Sequence, residues 1–489
     1  MSASASDKEI VLSLISHTNV GKTALARTLL RRDVGEVADS AHVTIVPESY
    51  PLIEEGGYSA KLWDTPGFGS NLAKLAGRLR ASQNPVGWIL HQVWDRSLNR
   101  SLWCSQEAIR NMQADADVVI YLVDASQSPS TIGYVDLEIE IIEWIGKPVL
   151  VFLNQTGEPN RERDRQNESE WRAHLAKNTI VKHVSTLDAF TRCWTQEHQI
   201  LAQAGTVVSG QKQKTATYLT GAWISRNLGI FDEAVDAIAE LVSFALCDTE
   251  PLPQRGLFEK VKELVQRNER NRTYERIQGR MYERLSKKTA VTVNRLITLN
   301  GLSGETAARL ARSSCEALAV KRDVEESVMA VLGGVGSGLL GGLCADLATG
   351  GFSLGGGAIV GMIVGGATTY ALARGYNLTQ TGQNMVRWSE AQFLDQVKSI
   401  LMLYLAVSHF GRGRGAWRDP VNNPARWKEL VDTAMAAESA DWHALWKKGG
   451  IASDPGSLAK GKIRTLVRHL LETVFRELYP DSASIFKRR

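Results

Sequence analysis

Cysteine is scarce in this sequence and nowhere grouped. The 489 residues include five cysteines, an odd number, and no two of them form a Cys-x-x-Cys pair. This pattern argues against a disulfide framework and against a cysteine-rich zinc site. The first residues, MSASASDKEI, also lack the basic start and the cleavage pattern of an export signal. A cytoplasmic, reducing location is therefore expected.

A large excess of charge of either sign is missing as well. The chain has 57 basic and 53 acidic residues, which leaves a formal net charge of +4. This balance argues against a broad basic surface, so the sequence predicts no nucleic-acid partner. Hydrophobic residues make up 44% and charged residues 22%, a composition typical of a globular chain long enough for two or three domains.

A phosphate-loop motif follows the first apolar run, although its first glycine is absent. The stretch SHTNVGKT fits G-x-x-x-x-G-K-[ST] except for Ser16, and it lies between strand-like EIVLSLI and helix-forming ALARTLL. In that context backbone N–H groups at the helix start bind phosphates, Lys22 neutralises their charge and Thr23 reaches Mg²⁺. The predicted nucleotide contacts here are Asn19, Val20, Gly21, Lys22, Thr23 and Ala24.

Two further elements of a nucleotide switch follow in order. WDTPG contains a D-x-x-G motif, in which Asp64 binds Mg²⁺ through water and the Gly67 N–H detects a γ-phosphate. SAHVTIVPES offers Thr44 as the switch threonine that closes over Mg²⁺, although a lone threonine in such a run is also simply a good strand residue. The predicted catalytic residues are Lys22, Thr44 and Gly67.

The runs that follow predict the fold of this part of the chain. DVVIYLVDAS and KPVLVFLN are continuous apolar runs, typical of parallel strands buried on both faces, and VDLEIEIIEWIG between them has helical spacing. The alternation predicts a doubly wound α/β domain with a mostly parallel sheet and a ligand at the carboxyl ends of its strands. Helical patterns then dominate, which predicts a mainly α-helical C-terminal domain.

Over about residues 8–190, this ordered set of motifs resembles the Era-like (TRAFAC-class) bacterial P-loop GTPases. The resemblance implies GTP or GDP with Mg²⁺, and nucleotide contacts from Asn154, which braces the base loop and touches the base, and from Gln155. It also implies a backbone contact from Ser185 and Thr186 to the base. Where the family has N-K-x-D, this chain has Asn154-Gln155-Thr156-Gly157, so the guanine-binding carboxylate is missing. Glu158 is a candidate replacement for that carboxylate. The alternative to a guanine-specific site is an NTPase without guanine selectivity.

Two loop residues bear on hydrolysis. The resemblance implies that Asn19 helps to hold K⁺, as in cation-dependent relatives; the equal alternative is an asparagine that merely tolerates the turn. Phe68 follows D-T-P-G, where Ras-type proteins use glutamine to orient the attacking water. Low intrinsic turnover is therefore expected, with K⁺, self-association or a protein partner needed to orient water, and nucleotide binding without turnover stays open.

A glycine-rich segment, residues 327–373, separates the predicted helical regions. It contains 14 glycines and a single charged residue, Asp346, and its Gly-x-x-x-Gly-x-x-x-Gly repeats predict a hairpin of two closely packed helices. Two alternatives are open for this glycine zipper. It inserts into the inner membrane and contacts lipid, or it is buried within a soluble domain. The predicted domains are 1–190 with a helical insertion at about 70–113, a helical linker at 191–326, the hairpin, and a helical region at 374–489.

Taken together, these patterns predict a GTP-binding protein, a slow Mg²⁺-dependent GTPase that acts as a nucleotide-controlled switch for its helical part. The whole arrangement resembles bacterial GTPase-like proteins with a C-terminal domain of unknown function. The alternative is a membrane-inserting or scaffold protein whose nucleotide domain hydrolyses weakly.

Overall fold

The computed structural model describes residues 5–32, 34, 44, 46–69, 71, 76–92, 98–156, 161–187, 189, 193–251, 266–302, 372–375, 385–409, 425–449 and 455–487. The chain divides into two compact units. One comprises Met1–Leu228 and His409–Trp417, and the other comprises Gly229–Ser408 and Arg418–Arg489. The domain boundaries inferred from the sequence stay predictions.

A six-stranded sheet forms the centre of the first unit. Its strands are β1 (Glu9–Ser16), β2 (Glu48–Glu55), β3 (Tyr58–Asp64), β4 (Val118–Asp124), β5 (Val149–Asn154) and β6 (Val181–Thr186). The order is β2-β3-β1-β4-β5-β6, and every neighbouring pair is parallel except β2 with β3. The predicted α/β fold with a mostly parallel sheet is confirmed.

The helices of this unit lie between successive strands in the chain or follow the last strand, β6. They are α1 (Lys22–Leu30), α2 (Ala76–Ala81), α3 (Pro85–His91), α4 (Arg100–Ala114), α5 (Gly133–Ile145), α6 (Arg161–Leu175), α7 (Trp194–Glu197), α8 (Gln199–Val207) and the first half of α9 (Gly210–Cys247). The helices α2, α3 and α4 occupy most of the segment for which the sequence predicts a helical insertion.

Two apolar clusters cover the two faces of the sheet because successive strand residues point to opposite sides. Leu12 and Leu14 pack with α1, α8 and the first half of α9, whereas Ile15 and Val119 pack with α3, α4, α5 and α6. Both clusters are almost completely buried. This burial explains the continuous apolar runs in the sequence, and it leaves the carboxyl ends of the strands as the place for polar chemistry.

The second unit is mainly helical, as predicted. It contains the second half of α9, α10 (Gln266–Leu299), α11 (Glu390–Ser408), α12 (Ala425–Ala437), α13 (Ser439–Lys448), α14 (Pro455–Leu458) and α15 (Arg464–Leu478). The unit also contains a small antiparallel sheet, formed by β7 (Thr249–Pro251), β8 (Leu372–Gly375) and β9 (Met385–Trp388). Its strand order is β7-β9-β8.

Aromatic side chains form much of the core of this second unit. The ring of Phe475 on α15 lies 6.0 Å from that of Phe231 on α9 and 6.2 Å from that of Tyr404 on α11, and Phe486 stacks on it at 6.3 Å. The apolar stripe of α15 therefore packs as core, which is the usual role of such a stripe.

The predicted glycine-zipper hairpin at 327–373 lies outside the described residues, except for Leu372 and Ala373 in β8. Its insertion into a membrane or burial in protein stays a prediction. Within the part of the chain that the structure describes, no helix combines the length and the apolar character needed to cross a bilayer.

Candidate nucleotide site

The phosphate loop connects the end of β1 to the start of α1. Asn19 and Gly21 both have left-handed backbone conformations, with φ of 67° and 102°. Glycine adopts this region without strain and asparagine tolerates it, so the motif residues suit the curled loop. No side chain among the described residues caps the N-terminus of α1. An uncapped helix N-terminus leaves its first N–H groups without intrahelical partners, and such groups favour an anion.

Ser16, which replaces the first glycine of the motif, contacts the motif lysine. Ser16 is completely buried at the end of β1, and its Oγ accepts a hydrogen bond from Lys22 Nζ at 3.0 Å. Burial lowers the pKa of Lys22, and the nearby carboxylates of Asp64 and Glu138 oppose that shift. A buried ammonium of this kind gains stability from an added negative charge.

Thr23, Thr44 and Asp64 lie together beside Lys22. Thr23 Oγ1 donates to Asp64 Oδ2 at 2.7 Å, and it lies 3.0 Å from Thr44 Oγ1. The other carboxylate oxygen, Asp64 Oδ1, is buried and has no hydrogen-bond partner among the described residues. Burial raises the pKa of Asp64 to about 6, and the bond from Thr23 and the charge of Lys22 act against that shift.

This group of oxygens fits Mg²⁺. The ion prefers oxygen ligands, keeps several waters and commonly takes the rest of its ligands from substrate phosphates. In the described part of the chain no three His, Cys, Asp or Glu side chains cluster into a protein-only metal cage. The unpartnered oxygen of Asp64 and the two threonine hydroxyls are therefore the groups that can serve a cation here, together with a bound nucleotide.

The D-T-P-G turn is paired with the phosphate loop. A Cβ atom at Gly67 would lie 2.9 Å from Lys22 Nζ and 3.0 Å from the Cα of Thr18, so a larger residue here would force the lysine and the loop backbone to shift. The next residue, Phe68, donates its N–H to Ser16 O at 2.9 Å and accepts from the Thr18 N–H at 3.2 Å. Its ring is completely buried in the apolar cluster that contains Ile15. The second predicted switch thus begins as a short parallel β-bridge to the loop.

Asn154 joins three loops around the place expected for the base. Its buried side chain donates to Val20 O at 2.6 Å and accepts from the Ala189 N–H at 2.7 Å. Gln155, with a left-handed φ of 59°, places its Nε2 3.4 Å from Asn19 O. Gly157 and Glu158 lie outside the described residues.

The two residues predicted to contact the base from β6 have other partners. Ser185 Oγ accepts from the Gln203 amide at 3.2 Å, and the Thr186 N–H donates to Glu168 Oε1 at 2.6 Å. Arg172, one turn further along α6, donates to Val184 O at 3.2 Å. Side chains of α6 therefore satisfy the open edge of β6. The role of Ser185 and Thr186 in base binding stays a prediction, and the loop contact to Asn154 comes instead from Ala189.

Sequence reasoning missed a buried polar group behind the phosphate loop. His17 Nδ1 lies 2.6 Å from Glu138 Oε1, and Tyr121 Oη donates to Glu138 Oε2 at 2.7 Å. Burial raises the pKa of Glu138, and the hydrogen bond from His17 is the largest opposing effect. One sequence signal was available: Glu138 lies on the core-facing side of an apolar helix, where a carboxylate needs a partner.

The N-terminal part of the chain matches a known family. Residues 11–155 match the family model described as 50S ribosome-binding GTPase. A search among curated proteins gives no match. With this match and the sheet order above, the N-terminal region is identified as a P-loop GTPase domain, a type of domain that binds GTP.

Several solved structures are similar to part of the chain. A variant of Aquifex aeolicus Era bound to GDP and AlF₄⁻ is 16% identical over 41% of this chain and 58% of that chain, with a TM-score of 0.31. Era in complex with MgGDPNP and nucleotides of 16S ribosomal RNA is 17% identical over 37% and 51%, with a TM-score of 0.27. The chloroplast translocon components atToc33 and psToc159 are 16% identical over 38% and 72%, with a TM-score of 0.25. The chain thus spans between half and three fifths of the length of the two Era structures.

One expectation from the sequence is wrong. The near-balance of charge predicted that nucleic acid is not a partner, yet the second Era structure holds nucleotides of 16S ribosomal RNA. Net charge describes the whole chain, whereas binding of a nucleic acid depends on where the basic groups lie. Nucleic acid is therefore not excluded as a partner.

Proposed function

We propose that this P-loop GTPase domain binds GTP and GDP with Mg²⁺, hydrolyses GTP slowly, and acts as a nucleotide-controlled switch for the helical second unit. The observation that carries the proposal is the convergence of Thr23, Thr44 and the unpartnered Asp64 oxygen beside the buried ammonium of Lys22. A cation held through water would give this buried, unpartnered carboxylate oxygen a partner.

Each of these residues has a defined role in the proposal. Lys22 binds the β- and γ-phosphates, Thr23 and Thr44 ligate Mg²⁺, and Asp64 holds a water of the ion. The Gly67 N–H contacts the γ-phosphate, which would link the presence of that phosphate to the position of the second switch. The bound ion neutralises charge that develops on the phosphate oxygens.

The hydrogen bonds around the loop suggest how nucleotide changes the domain. Lys22 is bonded to Ser16, Thr23 to Thr44 and Asp64, and the Thr18 N–H to Phe68 O. A nucleotide with Mg²⁺ offers each of these groups a charged partner instead. Binding would therefore compete with the β-bridge of Phe68, so that the second switch has two alternative sets of partners.

Slow turnover and a bound K⁺ are the finer parts of the proposal. Phe68 is buried and apolar, so it cannot orient water as the glutamine of Ras-type proteins does. Asn19 is exposed in the phosphate loop with a left-handed backbone, which leaves its side chain available as a ligand for K⁺.

A second candidate is an NTPase without guanine selectivity. It is supported by the absence of a carboxylate at Gly157 and by the bond between the Thr186 N–H and Glu168, which occupies a donor that the resemblance assigns to the base. The two candidates differ in the base that the site accepts and agree on the phosphate contacts.

Nucleotide titration of Lys22→Ala tests the shared part of both candidates. We expect this variant to lose at least about 100-fold in affinity for a fluorescent GTP analogue, because a buried charge contact to phosphate is removed. Lys61→Ala is the matched control, since Lys61 lies on β3 and pairs with Glu9 at the surface at 2.9 Å. Equal affinities of Lys22→Ala and the wild type would overturn the phosphate-binding assignment, and absence of phosphate release by the wild type would overturn hydrolysis.

A further inference from the structure

The helix α4, part of the predicted insertion, packs directly on the D-T-P-G turn. The Gly69 N–H donates to Ser105 Oγ at 3.1 Å, and both groups are buried. The Ser105 hydroxyl itself donates to Ser101 O, one turn earlier in the same helix, at 3.0 Å. Because its proton is used within α4, the Ser105 oxygen offers its lone pairs to the turn. Gly69 is therefore hydrogen-bonded to α4 at a defined position.

The contact between Gly69 and α4 leaves no space for a side chain. A Cβ atom at Gly69 would lie 1.8 Å from Ser101 Oγ and 2.8 Å from Ser101 Cβ. Any larger residue at position 69 would therefore force the turn and the helix apart. We call this packed and hydrogen-bonded contact between the turn and α4 the docked arrangement.

The next residue of α4 connects this helix to α3. Gln106 Nε2 donates to Ile89 O at 2.9 Å, to Leu90 O at 3.1 Å and to Gln92 O at 2.7 Å, at the C-terminal end of α3. The last carbonyls of a helix have no intrahelical partners, so the amide satisfies groups that would otherwise be unpaired. A shift of α4 at its contact with Gly69 therefore affects α3 as well.

On its other side the turn lies against the phosphate loop. A Cβ atom at Gly67 would lie 2.9 Å from Lys22 Nζ, and Phe68 makes two backbone hydrogen bonds, to Ser16 and to Thr18. An oxygen between the ammonium and Gly67 needs about 2.8 Å to the nitrogen and a van der Waals separation from the glycine carbon. The present spacing is too short for both distances. A phosphate that enters between Lys22 and Gly67 therefore displaces the turn.

We propose that the docked arrangement competes with the γ-phosphate, and that Ser105 is the positioning residue through which α4 lowers the affinity of the site for GTP relative to GDP. The inference rests on the proposed GTPase function, in which the γ-phosphate lies beside Lys22 and Gly67, and adds to it the element that this phosphate moves. GTP displaces the turn and breaks the bond between Gly69 and Ser105. GDP has no γ-phosphate and leaves the docked arrangement in place. The inserted helices α3 and α4 thereby respond to the bound nucleotide.

A merely structural role for Ser105 predicts a different result. If its bond to Gly69 only stabilises the fold, then loss of the bond affects the complexes with GTP and with GDP to the same degree. If the bond competes with the γ-phosphate, then its loss strengthens the binding of GTP and leaves the binding of GDP unchanged. The ratio of the two affinities therefore separates the two roles.

The experiment measures the dissociation constants of a non-hydrolysable GTP analogue and of GDP, with Mg²⁺, in Ser105→Ala, in Gly69→Ala and in the control Ser13→Ala. Ser13 Oγ donates to Asn111 Oδ1 at 2.7 Å, so the control also removes a buried hydroxyl contact of α4, away from the turn. Gly69→Ala disrupts the docked arrangement by steric overlap with Ser101 and keeps the Ser105 hydroxyl. It therefore tests the inference even if Ser105→Ala folds poorly.

Hydrogen exchange of the wild-type protein provides a second readout. We expect the amides of α3 and α4 to exchange faster with the GTP analogue bound than with GDP bound, because the helices lose their contact with the turn. Equal exchange with the two nucleotides would contradict the response of these helices.

We expect Ser105→Ala and Gly69→Ala to bind the GTP analogue about three- to tenfold more tightly than the wild type, as the loss of one competing hydrogen bond predicts, with GDP affinity within about twofold. We expect Ser13→Ala to keep the wild-type ratio of the two affinities. A ratio within about twofold of the wild type in both test variants, or weaker binding of the GTP analogue by Ser105→Ala, would overturn this inference and leave the proposed function standing. A wild type that binds neither nucleotide would instead overturn the proposed function itself.

Discussion

Thr23 Oγ1 donates to Asp64 Oδ2 at 2.7 Å, which connects the first turn of α1 to the last residue of β3. The two residues meet because β1 and β3 are parallel neighbours whose carboxyl ends lie at the same edge of the sheet. Asp64 is 1% exposed, and its second oxygen has no partner among the described residues. Without a cation, this carboxylate costs the folded domain stability whenever it is ionised.

The stability of the metal-free domain should depend on pH through Asp64. Its pKa is about 6 in the folded protein, against an ordinary value of about 3.9, so the folded state binds this proton more tightly than the unfolded state. The stabilisation of the folded state by this bound proton is fully present below about pH 4 and is lost as pH rises through about 6. The free energy of unfolding of Asp64→Asn should therefore increase relative to that of the wild type as pH rises, by up to about 3 kcal/mol at pH 7.5.

Urea unfolding in EDTA at pH 4.5, 6 and 7.5 measures this difference in the free energy of unfolding. The neutral asparagine keeps the shape of the side chain and removes only the titration. A difference between Asp64→Asn and the wild type that stays constant across this range would contradict the buried, shifted carboxylate.

Asn154→Ala should weaken nucleotide binding and the domain together. The substitution leaves the buried Val20 carbonyl and the Ala189 N–H without their partner, at a cost of about 1–3 kcal/mol in the free energy of unfolding. Since Val20 belongs to the phosphate loop, nucleotide affinity should fall at least about tenfold. Gln155→Ala is the control, because its contacts at 3.4 and 3.5 Å are long and partly exposed. Equal affinities in the two variants would show that Asn154 does not brace the loop.

Glu197→Ala should strongly destabilise the first unit. Glu197 Oε2 accepts from Arg31 at 3.2 Å, from Trp223 at 3.2 Å and from Asn227 at 3.1 Å, and the glutamate is completely buried. Removing it takes the carboxylate from the guanidinium of Arg31, which keeps its bond to Asn227 Oδ1 at 2.7 Å, so the free energy of unfolding should fall by about 3–5 kcal/mol.

The matched control is Glu9→Ala, which breaks the partly exposed pair with Lys61 and should cost about 0–1 kcal/mol. Urea midpoints with m-values compare the two variants. Similar losses from both would mean that the buried network around Glu197 contributes no more than a surface pair.

Phe68→Gln should lower stability without accelerating hydrolysis. Phe68 is completely buried among apolar side chains, and an amide there loses apolar contacts and lacks partners, which costs about 3 kcal/mol or more. The position therefore differs from the glutamine position of Ras-type proteins, although the motif spacing is the same. Thermal unfolding and single-turnover hydrolysis check the two parts, and a faster GTPase of unchanged stability would contradict them.

Local sequence was sufficient to predict the fold and to name the groups that meet at the carboxyl edge of the sheet. Apolar runs and turn residues determine parallel strands, and the topology then brings Thr23 and Asp64 together although 41 positions separate them. The confirmed fold follows from periodicity and motif order. The functional roles of the site residues stay predictions.

Contacts that depend on the packing of one particular helix could not be predicted. His17 and Glu138 are 121 positions apart, and their contact depends on the rotation of α5 about its axis. The bond from the Thr186 N–H to Glu168 likewise depends on how α6 covers the edge of β6. Ser16 appeared as a defect in the motif, because a sequence does not show that a buried hydroxyl can bind the motif lysine.

The most direct test of the central claim is competition of GTP, GDP, ATP and ADP against a fluorescent guanine nucleotide, with Mg²⁺ present. The account predicts displacement by guanine nucleotides in the wild type, loss of binding in Lys22→Ala, and a weaker complex when EDTA removes Mg²⁺. Running the series in K⁺ and in Na⁺ tests the Asn19 site, with tighter binding expected in K⁺. Displacement by ATP as strong as by GTP would contradict guanine selectivity, and a wild type that binds none of the four would contradict the account as a whole.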